Sequence, residues 1–268
     1  MTSTPTNGPI APTAPSGDPF AAVVHLPGVD DAVARVRTVV DDLRSQRVLR
    51  RRSAEVSAES ALRGARASAA LEGAEVPLDV LRRTLQAGGV LPDAESPVVE
   101  GALRVTSEVG VLASTLSRAP LQALARWHVL AASDVVPADE LGRSRDGAAV
   151  GLRPLVAAVT ARTSAPALVV SAIVHAELLV VAPFDWGSGL VARAAARAVL
   201  IDRGLDPKGL AVPEAGHLEL GVDAYDAALD GYREGTAHGV AAWIVHCAEA
   251  LALGAREGIA IAAALERG

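Results

Sequence analysis

Residues 180–207 read VVAPFDWGSGLVARAAARAVLIDRGLDP: an apolar run, a proline, a glycine-rich turn and an arginine-bearing helix. Pro183 ends the helix before it, because proline lacks an amide proton and pushes the preceding residue out of helical geometry. Gly187 and Gly189 let the chain turn tightly and expose amides at the start of the next helix, where anions are readily received. Arg193 follows one turn in, within reach of an anion held by those amides. The stretch therefore outlines a phosphate site, with Gly187, Ser188, Gly189 and Arg193 as its anion- or nucleotide-binding residues. Taken alone, such a turn is more often a structural junction between two helices.

Outward from the turn the chain reads as helices. VDDAVARVRTVVDDL sets Val29, Ala32, Val33, Val36, Val40 and Leu43 on one stripe with charges opposite. A second helix spans about residues 54–72 and stops at Gly73, a helix-ending glycine. A short one follows Pro77, and another opens at Ser96–Pro97, serine as cap and proline in the first turn. Helices continue over APLQALARWHVLAAS, LRPLVAAVTARTS, APALVVSAIVHAELLVVA and the C-terminal segment from Val222. Residues 134–151 are irregular, with a loop or short hairpin near 140–151. No strand–helix alternation and no repeat appears, so the expected fold is all-α. The expected division is a disordered tail over residues 1–28 and one helical domain over 29–268, its N-terminal helices at 29–95 and its core and C-terminal helices at 96–268.

Composition narrows the function. Half of the residues are hydrophobic and only 3% aromatic, which suits closely packed helices more than a sandwich of aromatic-rich strands. A net charge of -6 sets up no field for polyanions, so nucleic acid is excluded as the expected partner, and RVLRRR at Arg47–Arg52 reads as a solvated helix face. The single cysteine, Cys247, allows no internal disulfide and reads as an inert core thiol, in keeping with a cytoplasmic protein. The longest apolar run contains His175 and Glu177, which argues for a buried helix and against a membrane span.

The turn resembles the signature of Fic-domain proteins, His-Pro-Phe-x-(Asp/Glu)-Gly-Asn-Gly-Arg-x-x-Arg between two helices. Aligned on Pro183 and Phe184, the chain reads Ala182, Pro183, Phe184, Asp185, Trp186, Gly187, Ser188, Gly189, Leu190, Val191, Ala192, Arg193. HAELLVVAPF is similar to the family's lead-in helix, and the segment holding Tyr225 and Trp243 to its closing helices. SAALEG, Ser68 to Gly73, matches the inhibitory-helix pattern (Ser/Thr)-x-x-x-Glu-(Gly/Asn) that lies N-terminal to the core in many members.

The resemblance also marks what is missing. In active members the motif histidine takes the proton of a target hydroxyl, the acid holds Mg²⁺, and the glycine turn and arginines bind phosphate. Here those catalytic positions are degenerate: Ala182 for the histidine, Trp186 for the metal ligand, Ser188 for the asparagine and Leu190 for the first arginine. Loss of a general base typically costs a factor of about 10² to 10⁴, and loss of the metal adds to it. His175 lies too far along its helix to replace the base, and Asp185 reads as a surface or capping residue.

The resemblance thus implies a pseudoenzyme that acts by binding or regulation on an unidentified protein partner, with homo-oligomer formation open. It implies no catalytic residue, no metal and no cofactor. The alternative is a diverged transferase using ATP with Mg²⁺ or another phosphate-bearing donor. It further implies that Glu72, the inhibitory-motif glutamate, pairs with Arg193, and the expected form is bidentate and partly buried. LGRSRDGAAVG, residues 141–151, occupies the place of the family's target-positioning flap and is short for that role.

Overall fold

A computed structural model describes residues 18–88 and 96–267. Among them it has thirteen helices and no strand. The first four are α1 (Ala21–Val24), α2 (Val29–Ser45), α3 (Leu49–Ala70) and α4 (Leu78–Gln86). Next come α5 (Ser96–Ser107), α6 (Val109–Leu116), α7 (Pro120–Ala132) and α8 (Ala148–Thr160). The motif helices are α9 (Ala167–Val181) and α10 (Ser188–Asp202), followed by α11 (Pro213–Leu220), α12 (Val222–Arg233) and α13 (Ala237–Arg267).

The centre is the α9–α10 pair. Every residue from Leu168 to Leu178 and from Leu190 to Leu200 is buried, so both helices are covered on all sides instead of along one stripe. Helices α5, α6 and α7 cover α10 on one side, while α8, α12 and α13 close around α9. On the other flank α2 and α11 pack along α13, the longest helix at 31 residues. His175 and Glu177, the polar residues of the longest apolar run, are buried and satisfied: His175 Nε2 lies 2.8 Å from Tyr225 Oη, and Tyr232 Oη donates to Glu177 at 2.5 Å. No helix among the described residues is long and apolar enough to cross a membrane.

Several elements depart from the sequence reading. The segment expected to be tail is ordered from Asp18: Phe20 is buried, and Asp18 accepts bonds from Thr163 and from the Ser164 amide. Residues 1–17 of that expected tail lie outside the described residues. The helix expected from Ser96 onward breaks at Glu108 into α5 and α6. The irregular stretch is shorter than expected, since α8 begins at Ala148, and the 140–151 segment forms turns and the start of a helix with no hairpin. Helix α11 has too short and too weak an apolar pattern to be read from the sequence.

Arg47, Arg50 and Arg51 are exposed, whereas Arg52 reaches the Leu265 carbonyl at 2.5 Å and so ties α3 to the end of α13.

Candidate functional site

The α9–α10 turn keeps its backbone by local bonds. Ala182 ends α9 with φ +42°, the only non-glycine residue with positive φ among the described residues, and its amide returns to the Leu178 carbonyl at 2.9 Å. A β-carbon is poorly tolerated there, and Arg145 supports the geometry from the preceding loop. Its side chain donates to the carbonyls of Val181 (2.7 Å) and Ala182 (2.6 Å), and its amide to that of Pro183 (2.8 Å). Arg145 was not singled out from the sequence; its place in the flap-like segment RSRDG was the available signal.

Within the turn, Ser188 is used locally. Its hydroxyl donates to the Phe184 carbonyl at 2.8 Å and accepts from the Phe184 amide at 2.9 Å, closing a small ring. Trp186 is half-buried and packs its ring on the main core, Leu190 is buried in that core, and Asp185 is exposed. Beneath the turn, His128 of α7 stacks on Phe184 with ring centroids 4.0 Å apart. Burial lowers its pKa, and nearby Asp185 only partly opposes that shift.

The residues of SAALEG approach from α3. The chain beyond α3 closes in a Schellman turn: the Ala74 amide bonds the Ala69 carbonyl at 3.0 Å and the Gly73 amide bonds that of Ala70 at 2.9 Å. Gly73 takes φ +86°, which favours glycine. This fixed end carries Glu72 across to α10, where Arg193 Nη2 donates to its carboxylate at 2.6 Å. The contact uses one carboxylate oxygen and is not the expected fork, because Ser68 takes Nε and shares Nη2: Nε donates to its hydroxyl at 2.7 Å and Nη2 to its carbonyl at 3.0 Å. The Arg193 side chain is 3% exposed and that of Glu72 32%.

Gly189 is the reason the carboxylate fits. A β-carbon at that position would overlap Glu72 Oε1 and would sit 3.0 Å from its Cδ. Glu72 therefore lies directly on the first turn of α10, where the helix N-terminus favours negative charge. At the position of the family's metal-binding acid stands the packed indole of Trp186, and the neighbouring Asp185 is exposed.

Behind Arg193 a polar chain runs inward. Burial would lower the basicity of Arg193, but the charge of Glu72 and the hydrogen bonds of Glu72 and Tyr225 outweigh it. Tyr225 bonds His175, whose ring lies edge-on to His217 at 5.3 Å, and His217 Nδ1 lies 3.1 Å from His246 Nε2. Burial first, and then the neighbouring charges of Arg193 and His246, hold His175 well below its usual pKa, and His217 is held low in the same way. Burial raises the thiol pKa of Cys247.

This is an all-helical domain whose central helix pair is joined by a glycine turn and braced by a glutamate from the turn that closes α3. No family model matches the chain, and no curated protein does. Among solved structures it is similar to a Fic family protein from Desulfovibrio desulfuricans G20, with a TM-score of 0.69 and 18% identity over 87% of this chain and 74% of that one. It is likewise similar to Fic-1 from C. elegans, with a TM-score of 0.67 and 17% identity over 87% of this chain and 71% of that one. A variant of that nematode protein gives 0.68 and 19%, over 87% and 72%. The chain has the Fic fold.

Proposed function

We propose that the protein is a catalytically degenerate Fic-fold protein that acts by binding or regulating a protein partner in the cytoplasm, without adenylyl transfer. The observation that carries this reading is the content of the turn. Its own Glu72 fills the anion position on Gly189 and Arg193, while Ala182 supplies no base and Trp186 no metal ligand. Proton removal from a hydroxyl and neutralisation of phosphate charge are separate requirements of the transfer, and each has lost its side chain.

Incubation of the full chain and of Glu72→Ala with labelled ATP, Mg²⁺ or Mn²⁺ and cell lysate tests the reading. The expected result is no transferred label in either sample. Label transferred by Glu72→Ala would support the second reading, a diverged transferase using ATP or another phosphate-bearing donor. That reading is favoured by the tight glycine turn that opens α10 and by the 32% exposure of Glu72, which leaves its carboxylate displaceable.

A further inference from the structure

Three segments converge behind the turn. His175 comes from the middle of α9, His217 from α11 and Cys247 from α13, and one ligating atom of each lies within 4.8 Å of the other two. All three residues are buried, and they share a cavity of about 20 Å³ with Arg193, Arg197 and Glu214. That volume holds about one water-sized occupant. We propose that this cavity is a binding site for a single thiophilic d¹⁰ cation, Cu(I) or Zn(II), ligated by His175, His217 and the Cys247 thiolate.

The donor set selects the class. Imidazole and thiolate together suit soft or borderline ions and are a poor match for Mg²⁺ or Ca²⁺. Each ring spends one nitrogen on a neighbour, His175 on Tyr225 Oη at 2.8 Å and His217 on His246 at 3.1 Å. Such outer partners orient a ligating imidazole and leave its second nitrogen for the metal. Bonds of about 2.0–2.3 Å bring donors to roughly 3.3–3.8 Å apart, so side-chain shifts of about an ångström close the site.

Charge discriminates between the two ions. Binding exchanges the Cys247 thiol proton for the metal: the S–H bond breaks, the S–metal bond forms, the proton leaves to solvent and nothing is oxidised or reduced. With Cu(I) the net charge of the cavity is unchanged. Zn(II) adds one positive charge beside Arg193 and Arg197, which are already paired with Glu72 and Glu214, so the cavity favours Cu(I). The sequence reading of Cys247 as an inert thiol did not anticipate this convergence, because the three donors are far apart in the chain and one lies on the unread helix α11.

The test loads the full chain under reducing conditions with Cu(I) or Zn(II) against a competing chelator, followed by native mass spectrometry and X-ray absorption. The expected result is one ion per chain with one sulfur and two nitrogen neighbours, and affinity at least about tenfold lower in Cys247→Ala and in His217→Gln. Retention of either ion in that environment supports the site and names its metal. No retained ion, an all-nitrogen-and-oxygen environment in the wild-type chain, or equal retention by Cys247→Ala overturns it. The wild-type absorption spectrum decides the matter even if a variant fails to fold.

Discussion

Two arginines one turn apart on α10 are both almost wholly buried, yet they are held in different ways. Arg197 donates to Ser60 of α3 at 2.7 Å and to the carbonyls of Gly209 and Ala211, each at 3.0 Å, and it faces Glu214 of α11 at 3.3 Å. Its carboxylate partner is only 5% exposed. Arg193 is held by the end of α3 through Ser68 and Glu72, together with Tyr225 behind it, and its carboxylate partner is 32% exposed. The same side chain on the same helix is a fixed strut at one position and, at the other, half of a contact whose anion is reachable from outside. The difference lies in the partners: carboxylates buried from water cannot be exchanged without exposing a charge in the core, whereas one at a helix end can swing away.

The strongest challenge to this contrast is Arg197→Met. It leaves Glu214 buried without a partner and is expected to cost about 3–5 kcal/mol, read as a lower urea midpoint. A smaller loss than in Glu72→Ala would reverse the two roles.

Acidification sharpens the contrast from behind Arg193. His175 and His217 are neutral in the fold, with pKa values held below 6.5, so the unfolded chain takes up protons that the folded chain refuses. Their stabilisation is complete above pH 6.5 and is lost as pH falls below it toward their folded-state values. Between pH 7.5 and 5.5 the two together should cost about 2–3 kcal/mol. Urea midpoints measured across that range should fall, and His217→Gln should make that fall shallower. A flat wild-type profile would contradict the burial of these rings.

Glu72→Ala should cost less, about 1–2 kcal/mol, because Ser68 remains on Arg193 and the lost carboxylate is partly in water. The smallest effect is at the turn. Ala182→Gly relieves a positive φ and should raise stability by up to about 1 kcal/mol, seen as a small rise in the same midpoint.

The central part of the fold was legible because α9, α10 and the turn between them announce themselves by a proline, paired glycines and unbroken apolar runs. The meeting of Glu72 with Arg193 was legible only through the motif resemblance, since neither residue alone differs from a surface charge. Its detailed form was not: Ser68 takes Nε of Arg193 and shares Nη2 with Glu72, a choice made by the register of α3 against α10. Arg145 and the convergence of His175, His217 and Cys247 were hidden for a related reason. They depend on how a loop and the short helix α11 pack, and neither has a periodic pattern of its own.

The account turns on whether the chain's own carboxylate occupies the anion position of the turn. Calorimetric titration with pyrophosphate, in wild-type protein and in Glu72→Ala, addresses this directly. The expected result is no saturable binding to the wild type and one site per chain in Glu72→Ala, abolished when Arg193→Met is added. Equal binding to the wild type and Glu72→Ala, or a site that survives the loss of Arg193, would contradict it.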